Sequence, residues 1–187
     1  MTTTSDFAGA AQALAAALRT GAVNPSDAIR LLLNLASFVP SDQTTASGTG
    51  LAMASMQSAT ADLFRRAAVV ALARASISYQ PSSSDDAAAL RSTVCAALDG
   101  EITIAGDQGH DATFNALRAV RSAVSLDLAK RGAGLASIAV VTTVQPIPAP
   151  VLAQRLYRDP ARADGLITQA APIHPAFMPV SFKALSV

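Results

Sequence analysis

The chain contains few of the residues from which small-molecule sites and large self-contained cores are usually built. Aromatic residues make up 4% of its 187 residues, Trp is absent, and Cys95 is the one cysteine. A single cysteine excludes an internal disulfide and a cysteine-rich metal site. Because Cys95 lies within a helical pattern, we expect it to be a small, buried apolar residue.

Charge is also sparse. Charged residues account for 14% of the chain, and the net charge is +1. A general nucleic-acid-binding surface needs concentrated positive charge to displace phosphate counterions, so the composition argues against DNA as a partner. The short basic clusters alternate with acids, which predicts local ion pairs on solvated helix faces. These clusters are Arg65-Arg66, Lys130-Arg131 and Arg155 with Arg158 and Arg162, and the neighbouring acids include Asp62, Asp127, Asp159 and Asp164.

Long apolar runs are missing as well. No uninterrupted apolar stretch reaches the roughly 20 residues that a transmembrane helix needs. The first residues also lack the basic region that begins a secretory signal peptide. The sequence therefore predicts no membrane span and no export by the usual route.

Motifs that carry catalysis are absent. The chain has neither a glycine-rich phosphate loop with its lysine nor a GxSxG nucleophile elbow. Its two histidines, His110 and His174, have no nearby cysteine or paired carboxylate and so make a poor metal site. Asp85 and Asp86 are placed to begin a helix, where negative charge is favourable. We predict a protein that is not an enzyme and that holds no metal or cofactor.

What the chain has in abundance is alanine, which supplies much of its 51% hydrophobic content. Alanine favours helices because it loses no side-chain entropy on folding, but it buries little area per residue. Large apolar anchors such as Phe64, Leu72, Phe114 and Leu128 are sparse. We therefore expect a thin core that is completed by a partner.

The first 40 residues predict an N-terminal helical hairpin. One helix is expected from Asp6 to Arg19, ended by Gly21 in the left-handed conformation. A second begins at Asn24-Pro25, which supply a cap and a first-turn proline, and stops near Val39-Pro40. Residues 41–50, rich in Ser, Thr and Gly, predict a flexible linker.

Residues 51–134 predict a helical bundle of three antiparallel helices, at roughly 51–79, 84–99 and 110–131. Ser84 is the expected cap of the middle helix, residues 102–104 a short extended piece, and residues 106–109 a turn. Two apolar faces are expected to form the core. That of the long helix comprises Met56, Leu63, Phe64, Val70 and Ile77, and that of the last helix Phe114, Leu117, Val120, Val124 and Leu128.

Residues 135–187 have a different character and predict a small α+β module. The β-branched stretch 137–144 indicates a strand, and a proline-rich connector, two short helices (151–157 and 161–169) and an alternating apolar segment (180–187) follow. The order strand, helix, helix, strand is that of a LysM-like unit, with antiparallel strands and helices over one face. The predicted fold class is mainly α: a helical bundle followed by this module.

Several short sequence motifs in the last 40 residues resemble those of a known protein family. They are Pro148-Ala149-Pro150-Val151-Leu152-Ala153, Arg155-Leu156-Tyr157, Asp159, Arg162-Ala163-Asp164, Ile173-His174-Pro175, Phe177 and Pro179. In this order they resemble the C-terminal part of the Mu-like phage DNA circularisation protein family, a component of the contractile tail and baseplate. Family members have a larger N-terminal region, so we expect the chain to be a fragment or one half of a function split between genes.

The resemblance implies a virion structural protein that works by protein–protein assembly. Its partners would be other tail or baseplate proteins (tube, hub or wedge) and copies of itself, and it would be assembled in the host cytoplasm into the tail. The candidate contact residues are Pro148, Arg155, Tyr157, Arg158, Arg162, His174, Phe177 and Phe182.

Two other functions remain open: a DNA-binding protein that assists genome circularisation, and a peptidoglycan-binding LysM-like module. Thr168-Gln169 stands where the family tends to have an Arg-Asn pair, which favours an architectural use of the module. The segment from Tyr157 to Asp164 has a simpler alternative, in which it only shapes the turn between two helices.

Overall fold

A computed structural model describes residues 3–41 and 47–186, and the chain within them is mainly helical. The elements are α1 (Thr4–Gly21), α2 (Pro25–Ala36), α3 (Gly48–Ser78), α4 (Ser84–Asp107), α5 (Asp111–Ala133), β1 (Ile138–Thr142), α6 (Ala149–Tyr157), a 3-10 turn (Pro160–Arg162), α7 (Ala163–Ala170) and β2 (Ser181–Leu185). They form two compact units. The first unit is Met1–Gln80 with Ala88–Ala129, and the second unit is Pro81–Ala87 with Lys130–Val187.

The first unit has one hydrophobic cluster to which all of α1 to α5 contribute. Its fully or nearly fully buried large side chains are Leu32, Val69, Leu72, Val94, Leu98 and Leu128. The predicted hairpin (1–40) and the predicted bundle (51–134) therefore share a core in the structure. The predicted linker 41–50 lies partly outside the described residues, and its last three residues belong to α3.

Helix α1 begins with a reciprocal cap. The Asp6 backbone N–H donates to Thr3 Oγ1 (3.2 Å), and the Thr3 backbone N–H donates to the Asp6 carboxylate (2.8 Å). The prediction that Gly21 ends the helix in a left-handed conformation was wrong. Gly21 is the last helical residue, and the extended backbone of Ala22 ends the helix instead.

The apolar face predicted for α3 is also largely wrong. Met56 and Ile77 are 68% and 65% exposed, and the buried face is formed by smaller neighbours, including Ala61, Ala68 and Ala75. Alanine allows helices to approach closely, so the helix buries its alanine-rich side and leaves several large side chains outside. Leu72, by contrast, is fully buried, as an anchor should be.

Helix α4 passes through the predicted extended piece and the start of the predicted turn, and ends at Asp107. Ile102 and Ala105 are buried in the first unit, and Thr103 Oγ1 donates to the Asp99 carbonyl one turn earlier (3.0 Å). Burial of this helical face outweighs the preference of β-branched residues for strands. The N-cap is Ser83, one residue before the predicted Ser84, because the Asp86 N–H donates to Ser83 Oγ (3.0 Å).

Helix α5 agrees with its prediction. It begins at Asp111, and Leu117, Val124 and Leu128 are buried while Phe114 and Val120 pack against the same cluster. Gly132 lies inside its last turn rather than after it. Cys95 is buried, as expected.

The second unit has the predicted order of strand, helix, helix and strand. β1 and β2 pair antiparallel with Ile138 opposite Leu185 and Thr142 opposite Ser181. Phe182 and Ala184 of β2 pack with Ala149, Leu152 and Leu166 from the helices, around the fully buried Met178. Asp159 caps the 3-10 turn by accepting from the Ala161 N–H (2.9 Å), with Pro160 at its first position.

Candidate interaction surfaces

The predicted contact residues of the second unit fall into three groups. Tyr157 and Arg162 form the first. The Arg162 guanidinium lies 4.3 Å from the centre of the Tyr157 ring, and Tyr157 Oη donates to the Leu185 carbonyl of β2 (3.0 Å). This arrangement fixes the helix junction to the strand, so Tyr157 has a structural role in the second unit.

A small open pocket lies beside this pair. It has a volume of about 380 Å³ and is lined by Tyr157, Arg162, Leu166, Thr168 and Gln169, among others. The Arg162 side chain is exposed and carries its charge to the pocket rim. Stacking on an aromatic ring holds a guanidinium in place while leaving its N–H donors available, so this rim is suited to contact a polar or acidic surface.

The second group is the turn around His174. The Phe177 N–H donates to the His174 carbonyl (3.0 Å), and the Ala176 N–H donates to His174 Nδ1 (3.1 Å). The two rings lie 5.9 Å apart, and the Phe177 ring is 70% exposed. The Pro175 carbonyl accepts from the Ala149 N–H (2.9 Å), which ties this turn to the start of α6, where exposed Pro148 is the N-cap.

The remaining three residues differ in burial. Arg155 and Arg158 are exposed on or just after α6, and Arg158 has the left-handed conformation (φ 58°) that ends this helix. Phe182 is 6% exposed and lies in the core of the second unit. It cannot contact a partner while the unit is folded, so its selection as a surface residue was wrong: alternation along β2 turns it towards the helices.

The first unit contains a cluster of paired charges whose centre the sequence did not reveal. Glu101 is 2% exposed through its side chain and accepts from Arg65 Nε (3.1 Å) and Arg66 Nε (2.9 Å). Asp62 pairs with Arg65 and accepts from Gln108 Nε2 (2.7 Å). The predicted local pairing of Arg65 with Asp62 is confirmed, but the prediction of a solvated helix face was wrong here, because the two side chains are only 13% and 11% exposed.

Glu101 was missed because the sequence placed it beyond the end of its helix. Its partners lie 35 and 36 positions earlier in the chain, and no local pattern connects them. The signal that could have indicated it is the helical spacing that places Glu101 on one face with the apolar residues Leu98, Ile102 and Ala105.

An open groove of about 950 Å³ lies beside this cluster in the first unit. Its apolar wall includes exposed Phe7 and Met56 together with Leu63, and its polar wall includes Arg66 and His110. The Phe7 ring packs edge-on against Phe64 with centroids 6.2 Å apart. The groove combines accessible apolar side chains with fixed charges, a mixture typical of protein contacts.

Neither a cluster of metal ligands nor a membrane-spanning helix occurs among the described residues, 3–41 and 47–186. There, no three His, Cys, Asp or Glu side chains come together in a group that could hold a metal ion. Among those residues, too, no helix combines the length and the apolar character needed to cross a bilayer.

The chain was also compared with known proteins. Neither the protein-family models nor the curated proteins contain a match to it.

Proposed function

We propose that this chain is a structural protein of a Mu-like phage tail baseplate, or of a phage-derived contractile tail, and that it acts by assembly with other proteins. The observation that carries the proposal is the distribution of its large apolar side chains. Met56 and Ile77 on α3 and Phe177 in the second unit are mostly exposed, while many of the buried positions of the first unit are occupied by alanine. Apolar groups that the folded chain leaves accessible are available to be buried by a partner.

The candidate contact residues of the second unit support the same role. Pro148, Arg155, Arg158, Arg162, His174 and Phe177 are all exposed. Arginine and aromatic side chains are enriched at protein interfaces, and the family resemblance implies a tail contact in this part of the chain. The tail tube, hub or wedge proteins are the proposed partners.

The DNA-binding alternative has less support. Arg65 and Arg66, one of the two adjacent basic pairs in the sequence, are engaged with Glu101 and Asp62. Binding through the remaining arginines would fall steeply with added salt. A mobility-shift titration at low salt checks this, and a salt-sensitive shift would favour circularisation over assembly.

The proposal is tested by deleting the gene from a phage or prophage that carries it and examining the particles by electron microscopy. We expect tails without complete baseplates, restored by the wild-type gene. Phe177→Ser should restore them poorly, whereas Val23→Ser, which alters an apolar residue that is fully exposed and lies outside the second unit, should restore them well. Complete, infectious particles from the deletion strain would refute a structural role in the tail.

A further inference from the structure

The two-stranded sheet of the second unit has an open edge along β1. All residues of β1 except Val141 are exposed, and Val140 is 68% exposed. The strand contains no charge and no proline, so it lacks within its own five residues the devices that usually protect an edge from pairing. Packing of β2 against the helices of the second unit stabilises this sheet of two strands, but it leaves the β1 edge open.

The hydrogen bonds at the two ends of the sheet show which backbone groups face this edge. The Thr143 N–H donates to the Val180 carbonyl (2.7 Å), and the Ser186 N–H donates to the Ser137 carbonyl (2.7 Å). In an antiparallel pair, successive residues of a strand direct their N–H and C=O groups alternately towards and away from the partner strand. The backbone N–H and C=O groups of Ala139 and Val141 therefore point towards β2. Those of Ile138, Val140 and Thr142 point away from it, towards the open edge.

Two further contacts agree with this alternation. The outward Ile138 N–H donates to the Asp85 carboxylate (2.5 Å). On the opposite strand, the carbonyl of Leu185, which is paired with Ile138, accepts from Tyr157 Oη. Asp85 thus occupies one end of the β1 edge, and the N–H and C=O groups of Val140 and Thr142 remain available.

We propose that β1 pairs antiparallel with β1 of a second copy of this chain, about a two-fold axis at Val141, to form a continuous four-stranded sheet. In this register Val140 lies opposite Thr142 of the copy, and Thr142 lies opposite its Val140. Both are hydrogen-bonded pairs, so four bonds form from the available groups of the two copies. The Ile138 N–H is not required.

The chemistry of the strand favours a copy of itself over a different partner. The available groups form a self-complementary set, and an uncharged strand pairs with its copy without placing like charges opposite each other. The strand ends at Thr142, and the chain bends at residues 144–145, so the copy leaves the edge before it reaches Asp85. A second copy of the chain would be one partner in the proposed assembly, and the biological purpose of the pairing rests on that proposed function.

Sedimentation velocity on the purified full chain tests the pairing. We expect a concentration-dependent dimer for the wild type. Val140→Pro removes an outward N–H and leaves the bonds to β2 in place, so it should raise the dissociation constant by roughly a hundredfold, the loss of two hydrogen bonds per dimer. Val140→Thr keeps the N–H and the branched side chain and should dimerise like the wild type.

A charge pair tests the register without relying on proline. Val140→Glu with Thr142→Glu places two like-charged pairs across the axis and should yield monomers. Val140→Glu with Thr142→Lys places opposite charges at the same positions and should restore the dimer. Circular dichroism and thermal melting should show that all variants keep the helical fold.

A monomeric wild type, including one whose β1 pairs with an extended peptide of another protein, would overturn the inference, as would a Val140→Pro dimer of unchanged affinity. Failure of the pairing and failure of the proposed tail role can be told apart by combining sedimentation with the gene deletion. A monomer that is still needed for complete tails overturns only the pairing, and a dimer whose gene is dispensable for tails overturns only the tail role.

Discussion

At the scale of single residues, the polar groups of this chain have specific partners. Glu101 is buried between two arginines, Tyr157 holds β2, and Asp6 caps α1. In the parts of the chain that the structure describes, no buried side-chain nitrogen or oxygen lacks a hydrogen-bond partner. The loss of folding stability caused by a single substitution at one of these groups should therefore depend on how deeply the group is buried, and not on its charge alone.

Glu101 and Asp99 provide a comparison of two acids on one helix. Glu101→Gln should lower the free energy of unfolding by about 3–5 kcal/mol, because it leaves the charges of Arg65 and Arg66 poorly compensated in a buried site. Asp99→Asn breaks a half-exposed pair with Arg121 and should cost about 0–1 kcal/mol. Urea denaturation of both variants checks the difference, and equal losses would show that Glu101 is solvated.

Asp6 should make the start of α1 sensitive to acid. Hydrogen bonds from the Thr3 backbone and then the Thr3 hydroxyl hold the pKa of the Asp6 carboxyl below its usual value of 3.8. A carboxyl whose pKa is lower in the folded state stabilises that state above its unfolded pKa and loses this contribution as the pH falls through the folded pKa. The cap should therefore weaken below about pH 3.8.

Carbon-detected NMR titration of Asp6 would measure this pKa directly. Asp6→Asn can no longer titrate at this position, so fraying of the first turn of α1 should lose its pH dependence in that variant. An Asp6 pKa at or above the usual value would contradict the capping role.

At the scale of elements, the sequence was informative where the signals are local. Asn24-Pro25 begins α2, Asp159-Pro160 begins the 3-10 turn, and the β-branched run 137–144 contains β1. The prolines act through their fixed backbone, and Asp159 accepts from the next turn, so these signals depend little on the rest of the chain. The Asn24 side chain, which was predicted to cap α2, makes no cap hydrogen bond.

The sequence misled where distant contacts decide the outcome. Gly100 was interpreted as the end of a helix, but α4 continues because Glu101 and Ile102 are buried against other helices of the first unit. Which face of α3 is exposed could not be predicted either, because the helical period alone does not show that alanines face the core and that Met56 and Ile77 do not. In the second unit, the alternation along β2 correctly indicated that one face of the strand lies in the core. Phe182 belongs to that face, so it is not available to a partner.

Two glycines inside helices should respond oppositely to the same substitution. A Cβ at Gly100 would meet no atom within 4 Å, whereas one at Gly132 would lie 2.8 Å from the Ala87 Cβ. Gly100→Ala should stabilise the protein by about 0.5–1 kcal/mol, because alanine loses less backbone entropy in a helix. Gly132→Ala should destabilise it by about 1–3 kcal/mol through overpacking.

Thermal and urea denaturation of the two variants would measure both changes. Gly100 also distinguishes the observed continuous helix from the helix end predicted at this point. Destabilisation by Gly100→Ala would mean that residue 100 is not in an unstrained helical conformation.

At the scale of the whole molecule, the distribution of apolar side chains sets the expected behaviour. The chain folds around a core of leucine, isoleucine, valine and alanine in its first unit and a smaller core in its second, and each unit leaves large apolar residues accessible. Stability and association should therefore depend on different residues. The buried anchors should control unfolding, and the exposed residues should control contact with partners.

Leu72 and Met56, both on α3, separate these two properties. Leu72 is fully buried, so Leu72→Ala should lower the free energy of unfolding by about 2–5 kcal/mol through lost burial and a cavity. Met56→Ser removes an exposed side chain and should change stability by less than about 0.5 kcal/mol. It should, however, weaken assembly with a tail partner that covers the groove beside Phe7.

Urea denaturation of each variant, followed by electron microscopy of particles complemented with it, measures the two properties separately. If Met56→Ser destabilises the protein as much as Leu72→Ala, then Met56 is part of the core, and the exposed apolar surface that motivates an assembly function is smaller than the structure indicates. If it leaves both stability and complete tails unchanged, the groove is not a tail contact. Loss of tails at full stability is the result that only an interface residue can give.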